Sequence, residues 1–382
     1  MSVNSQQKED ALKIYVFDCG QANCQFIVFP SGYSIMYDLG EDSLLGYKRN
    51  AEYVAERVVE ILGKKEIDVL VLSHYHIDHT GSGLSDPTKN EKGGIVYFIE
   101  ELGFTFKKFI DRDAGVYFGN KLEDCKKEKT EWHNVDEDGA IHDRLACYGA
   151  SVRDKTKLSS IREIAKLCSS DQIVPPDEGA KVEVIMRDAY GIKNDDGKSL
   201  FGSRRGPNTD GVKTVAENDY SISLKITYGD FSYSLCGDLS GKLYDDPNGH
   251  TFHDIEKYVA PMMGEVDLYH SNHHGLHTST NDVWVKTLKP SVTIISCRTS
   301  DIDKSALKRL VDVGCITYAT GDCLNYWNTN DYPDETRVFN DDIIITVPKG
   351  SNTFSVSKKD GSKKESYIIK KNKAPGKCQI LG

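Results

Sequence analysis

The sequence lacks any apolar run that approaches the length of a membrane span, so no helical membrane segment is expected. Its start, MSVNSQQKEDALKIYVFDCG, opens on polar residues and has no apolar core of a leader, so no signal peptide is expected either. Excess positive charge is also missing. The 48 Lys and Arg are outnumbered by 58 Asp and Glu, for a net charge of −10. That balance argues against a broad basic face for nucleic acid, because such binding is largely phosphate neutralisation. It leaves room for a small basic groove, or for metal ions that bring their own charge. No two of the ten cysteines form a CxxC pair, and several, such as Cys236 and Cys297, sit inside apolar runs. The expectation is reduced, buried thiols in a cytoplasmic protein rather than a disulfide framework. No repeat of fixed period occurs.

What is present is ordinary for a globular protein: 38% hydrophobic and 28% charged residues. A chain of 382 residues exceeds one small core and implies two domains, or one domain with large insertions. Residues 13–18, 24–29 and 33–38 read as strands, with a turn at Pro30–Gly32. Val54, Val58, Ile61 and Leu62 recur at helical spacing within 51–62. The continuous apolar run 67–72 reads as a strand covered on both faces, and it leads straight into SHYHIDHTGSG. A helix and a strand follow within 92–110. Residues 111–180 are rich in Lys, Glu and Asp and read as an insertion with helical pieces such as 159–168. Residues 190–218 are loop-like, as a surface loop or a lid. Around Gly229-Asp230 the alternation of YSISLKITYGDFSYSLCGD predicts a hairpin. Further strands are expected at 266–270, 291–297, 315–320 and 342–347, and a helix at 305–313. The tail from 357 is Lys- and Ser-rich, and its end is expected to fray. Strands paired with helices in both halves suggest an α/β protein, an αββα sandwich. The domain runs over 1–350 with the insertion at 111–180, and 351–382 form a tail.

Seven of the eleven histidines fall in two short clusters, His74, His76 and His79, then His270, His273, His274 and His277. His74 and His76 stand two apart at the end of a strand, so both rings can point to one side. Asp78 and His79 follow where the chain must turn, with Gly81 and Gly83 to permit it. Two imidazoles suit one metal ion, and a carboxylate with a third imidazole suits an adjacent one. The bland alternative is a polar corner with incidental histidines. The second cluster, SNHHGLHTS, also follows a strand, and one ligand is expected from it, His274 ahead of His273. An apolar strand ending in Gly237-Asp238 places a carboxylate between the two clusters.

These residues resemble a family. HxHxDH at 74–79, Gly-Asp at 237–238 and HHG at 273–275 are similar to the metal motifs of metallo-β-lactamase-fold hydrolases. Segments 17–23, 217–239 and 266–296 resemble the branch that holds the C-terminal domain of ComEC and phosphorylcholine esterase. The resemblance covers about 12–110 and 181–347. The ComEC membrane channel is absent, so DNA uptake is not implied, and Cys19 and Ala22 depart from the N-terminal motif. A third histidine for the first metal is missing after 182–186; Asp188 or Asp111 stand nearest, and that ligand stays open. Asp38 is expected to buttress the metal loop by hydrogen bonds. Asp18, Gln21 and Asn23 would lie near the metals by this likeness, although a buried turn explains them equally. Arg204 and Arg205 would clamp a phosphate or be a solvated pair.

The resemblance implies a dinuclear hydrolase with two divalent ions, zinc or alternatively manganese. His74 and His76 would hold one ion, Asp78, His79 and His274 the other, with Asp238 between them. Asp78 and His273 are the catalytic candidates, with His273 or His277 protonating the leaving group. A phosphodiesterase or nuclease acting on a phosphodiester or nucleic-acid-type substrate is the first reading. The alternatives are hydrolysis of another ester, amide or thioester, and a non-enzymatic subunit of a larger assembly, such as a defence system, that docks through 111–180.

Overall fold

The computed structural model describes residues 10–41, 49–81, 93–112, 156–187, 195, 214–245, 250–297, 302–321 and 333–378. Three antiparallel strands open it: β1 (Ala11–Val16), β2 (Gln25–Val28) and β3 (Ser34–Tyr37). Leu12, Ile14 and Val16 face one side of this sheet and Tyr15 and Phe17 the other, as the two-residue period of a strand dictates. Helix α1 (Arg49–Leu62) buries Val54 and Val58. Strand β4 (Glu66–Val71) is covered on both faces, Ile67 and Leu70 on one, Val69 and Val71 on the other. The one-turn helix α2 (Ile77–Thr80), helix α3 (Gly94–Glu100), β5 (Thr105–Asp111) and β6 (Arg162–Ile164) complete this half.

The second half holds β7 (Ala180–Met186), β8 (Thr214–Val215) and the hairpin β9 (Ser223–Tyr228) and β10 (Phe231–Leu235). Next come β11 (Gly241–Asp245), β12 (His250–Asp254), α4 (Glu256–Met263), β13 (Leu268–His270), α5 (Asp282–Leu288) and β14 (Val292–Ile295). Then follow α6 (Lys304–Asp312), β15 (Ile316–Ala319), β16 (Thr336–Val338) and β17 (Ile343–Pro348). Strands β18 (Thr353–Lys358) and β19 (Glu365–Ile368) end the series.

Among the described residues nine strands form one sheet in the order β19-β18-β17-β1-β2-β3-β4-β5-β6, and seven form another, β16-β15-β14-β13-β10-β9-β7. Their facing sides share one core, in which Ile14, Ile35 and Val69 meet Leu224, Tyr233 and Ile294. Val54, Val58 and Phe98 cover the outside of the first sheet. Val259, Met263, Trp284 and Leu310 cover the outside of the second. The layers therefore run helix, sheet, sheet, helix. A small sheet, β11-β12-β8, stands apart. Among the described residues no helix is long and apolar enough to cross a membrane.

Three expectations are corrected. Residues 159–168 are not a helix; a short 3-10 turn, Leu158–Ile161, leads into β6, which pairs parallel with β5. An open strand edge presents unpaired backbone groups, and this part of the insertion satisfies them. Residues from 351 do not stand apart as a tail: β18 and β19 extend the first sheet, and Phe354 and Val356 enter its core. Their period-two alternation lies inside a Lys- and Ser-rich stretch that reads as tail by composition. Finally, the thiols are not all reduced. Cys168 bonds Cys378 across 210 residues, and Cys297 is disulfide-bonded as well, whereas Cys19, Cys24, Cys236 and Cys315 are free and buried. The case for a cytoplasmic setting rested on reduced thiols and loses that ground.

Candidate metal centre

The site forms where strand ends of the two sheets meet. His74 follows β4, Asp238 follows β10, and the 271–281 loop follows β13, which runs parallel to β10. Two glycines set the approach. Gly40 passes so close to α2 that a Cβ there would lie 1.7 Å from the Asp78 carbonyl oxygen. The Asn23 and Leu39 amides donate to the Asp78 and His79 carbonyls at 2.8 and 3.0 Å, which clamps that turn. Gly237 has a φ of 56°, and a Cβ on it would meet the Ser73 Cβ at 2.7 Å. Only glycine fits there, so the Gly-Asp ending is what lets Asp238 reach the histidines.

The ligand-type atoms of Asp78, His79, Asp238 and His274 all lie within 4.8 Å of one another, and those of His74, His76 and Asp238 do likewise. Asp238 is common to both groups. Its Oδ1 lies 3.0 Å from His79 Nε2 and 3.5 Å from His274 Nε2, and its Oδ2 lies 3.8 Å from His74 Nε2. Asp78 Oδ2 lies 3.4 Å from His274 Nε2.

The far nitrogens are held. His79 Nδ1 meets Asp38 Oδ2 at 2.7 Å, and His274 Nδ1 meets the Ser296 carbonyl at 2.9 Å. His74 Nδ1 faces Ser73 Oγ at 3.0 Å. Such contacts fix ring orientation and leave Nε2 for the centre. Asp38 also accepts from the Ser73 amide, the Ser73 hydroxyl and Asn23 Nδ2 at 2.7, 2.8 and 3.0 Å. Asn218 Nδ2 donates to Asp238 Oδ2 at 3.1 Å, and the Asp238 amide donates to Ser221 Oγ at 3.1 Å.

The charges are opposed. Burial pushes the Asp238 carboxyl up, but His79, His274 and His273 outweigh it and hold the group well below the carboxylate range. Burial lowers His79, yet Asp238, Asp38 and Asp78 raise it above an ordinary histidine. His74 has no such excess of carboxylates, and burial together with His79 drives it down.

The donor set fits a divalent ion. The Nε2 atoms of His79 and His274 are buried and make no hydrogen bond of acceptable geometry, although carboxylate oxygens stand 3.0 to 3.5 Å away. Imidazole nitrogens and carboxylate oxygens gathered within 4.8 Å of one another are a donor set for a borderline cation, which would take the place of the proton that the carboxylates favour on His79.

The remaining candidates divide. His273 lies beside the group, its Nε2 3.8 Å from Asp238 Oδ2 and its Nδ1 2.6 Å from Thr278 Oγ1; burial pulls it down to about 4. His270 turns away to Ser296 Oγ at 2.9 Å, and His277 is exposed against Tyr244. Asp111 is corrected as a ligand candidate. It accepts from Tyr75 at 2.7 Å and from Arg162 at 2.6 Å, because β5 ends beneath the 74–76 loop rather than at the ligand groups. Asp188, Arg204 and Arg205 lie outside the described residues, as do Gly83 and most of 190–218. Asp18 sits beyond the centre, its amide donating to Asp342 at 3.0 Å.

Glu217 and Arg112 were not singled out from sequence. Arg112, fully buried, grips Glu217 with two hydrogen bonds of 2.7 and 2.6 Å, and Glu217 accepts from the Tyr75 amide at 2.9 Å. That pins the backbone between His74 and His76. Asn218 lies within the 217–239 segment, and it is the folded register that sets it against Asp238.

Residues 17–85 match the family described as the Metallo-beta-lactamase superfamily. No curated protein matches the chain. Among solved structures, a Parabacteroides distasonis protein described as a metal-dependent hydrolase is 12% identical, covering 81% of this chain and 92% of its own, with TM-score 0.36. A diphosphatase of the PhnP family is 12% identical, covering 88% of this chain and 98% of its own, with TM-score 0.38. The long form of RNase Z from yeast is 11% identical, covering 88% of this chain and 41% of its own, with TM-score 0.35. The matched segment contains His74, His76, Asp78 and His79, and two facing sheets between helical layers are the architecture of the metallo-β-lactamase fold.

Proposed function

We propose that the chain is a metal-dependent hydrolase that binds two divalent ions, zinc or manganese, and cleaves phosphodiesters. The observation that carries this reading is the position of Asp238, shared by two adjacent groups of ligand atoms. In the proposal His74 and His76 would hold one ion, Asp78, His79 and His274 would hold the other, and Asp238, common to both groups, would serve either. Bound ions supply Lewis acidity and neutralise charge that builds on a phosphoryl group.

The chain's own residues do the rest. Asp38, Ser296 and Ser73 orient the imidazoles, so the site is organised before substrate arrives. Asn218 holds the Asp238 carboxylate in register. In the proposal His273, hydrogen-bonded to Thr278, would relay a proton to the leaving oxygen. The choice of a phosphodiester over another ester rests on the likeness of 217–239 and 266–296 to the ComEC and phosphorylcholine esterase branch.

Elemental analysis and a substrate panel test the reading. Protein purified without chelator is expected to hold about two metal equivalents per chain. It is expected to turn over bis-p-nitrophenyl phosphate faster than a β-lactam or a thioester. The His76→Ala, Asp78→Ala double variant serves as the blank. Turnover of a lactone, amide or thioester, with none of phosphodiesters above that blank, would overturn the substrate reading. Metal at trace level after reconstitution would overturn the whole of it.

A further inference from the structure

The β11–β12 ribbon carries aromatic rings that metal binding does not use. Tyr244 and Phe252 are direct cross-strand partners, so their side chains share one face of the ribbon, with ring centroids 6.0 Å apart. Phe252 continues inward. Its ring lies nearly parallel to that of His273, at 5.9 Å and 15°, and His273 Nε2 is 3.8 Å from Asp238. Tyr244 continues outward to His277, edge on at 5.3 Å. Tyr244 and Phe252 are only half-buried. The result is an unbroken line of four rings from the edge of the ligand cluster to the surface.

The line is rigidly tied to the centre. The Gly241 amide at the root of β11 donates to the Thr278 carbonyl at 2.7 Å. Asn281 Nδ2 donates to the Gly241 carbonyl at 3.0 Å and to Asp254 at 2.8 Å. Ribbon and 271–281 loop therefore hold a fixed spacing between the rings and His274. Lys242, exposed on the same strand, places its ammonium 5.9 Å from the Tyr244 ring centre.

We propose that Phe252 and Tyr244 form a stacking subsite for a nucleobase attached to the phosphodiester in the metal centre, with Lys242 meeting the next phosphate. The proposal rests on the phosphodiester reading above and narrows it to single-stranded nucleotide substrates. The chemistry is specific to that class. Every base offers a π-face, and half-exposed aromatic rings bind such faces with little regard to sequence. A net charge of −10 opposes the many phosphate contacts that a duplex needs, so stacking has to supply affinity that charge does not. A duplex also keeps its bases stacked on each other and unable to reach the ring line.

Binding of two ligands to the full chain tests this. One is a phosphorothioate dinucleotide; the other is the same backbone with abasic sugars. Wild-type protein is expected to bind the base-bearing ligand roughly tenfold more tightly or better. Phe252→Leu and Tyr244→Leu, which keep apolar bulk but remove the ring, are expected to bring the two constants within about twofold of each other. Phe252→Trp is expected to keep the preference, and it guards against a loss caused by misfolding. Equal binding of the two ligands by wild type, or a preference that survives both leucine variants, would overturn the subsite. Hydrolysis of the abasic phosphodiester separates the two levels. If wild type cleaves it without preferring bases, the stacking subsite alone fails; if it cleaves neither phosphodiester ligand in oxygen form, the phosphodiester reading fails as well.

Discussion

Asp38 and His79 share a 2.7 Å hydrogen bond although they come from different strand ends, Asp38 after β3 and His79 within α2. Asp38 reaches this position with a φ of 61°, and its carboxylate gathers the Ser73 amide and hydroxyl and Asn23 Nδ2 as well. One buried acid thus fixes both the approach to His74 and the ring of His79.

Replacing it should be felt at the metal. Asp38→Ala is expected to weaken divalent-ion affinity by about 10–100-fold, the usual effect of losing a group that orients a ligand. Competition with a chromophoric chelator measures this. Unchanged affinity would show that Asp38 serves the fold alone.

Asp238→Ala removes the carboxylate shared by the two groups. The expected outcome is loss of bound metal and of turnover, with the far-ultraviolet dichroism of the wild type retained. Wild-type turnover by this variant would remove Asp238 from the mechanism.

Glu256 supports the 271–281 loop from beneath. It accepts from Asn272 Nδ2, the Thr280 amide and the Asn281 amide, each at 2.7 Å. Burial pushes its carboxyl up to about 7, from 4.5, against the pull of those donors. A carboxyl raised in this way holds a proton in the folded state that the unfolded chain has released. Its contribution is full below pH 4.5 and fades as pH rises toward 7, by an amount on the order of 3 kcal/mol. Glu256→Gln should therefore flatten the stability–pH curve over that window relative to wild type. Parallel curves from denaturant titrations would contradict this.

The Cys168–Cys378 bond ties the last described residues to the segment before β7. By closing a long loop it is expected to add about 2–4 kcal/mol. Reduction, or the Cys168→Ser, Cys378→Ser pair, should lower the melting temperature by several degrees. If melting is unmoved, the bond contributes nothing to stability.

The local readings succeeded where local physics decides. Continuous apolar runs gave buried strands such as β4, Gly229-Asp230 gave the β9–β10 hairpin, and helical spacing gave α1. The readings of 159–168, of 351–382 as a tail and of Cys168 with Cys378 missed, because each depends on a distant partner. A sheet edge is completed by whichever segment arrives there, and a disulfide needs two thiols 210 positions apart to meet.

The sequence by itself determined the chemistry on offer: histidines and carboxylates bunched at strand ends, a glycine before Asp238, and too little positive charge for a broad nucleic-acid surface. Only the tertiary structure decided how those groups are used. It made Asp238 common to two ligand groups, turned His270 away, gave Asp111 to Arg162, and lined Phe252 and Tyr244 up with His273. The physical reason is range. Side-chain type and strand period act over a few residues, whereas which rings and carboxylates share a few ångströms is set by strand order and register across the whole sandwich.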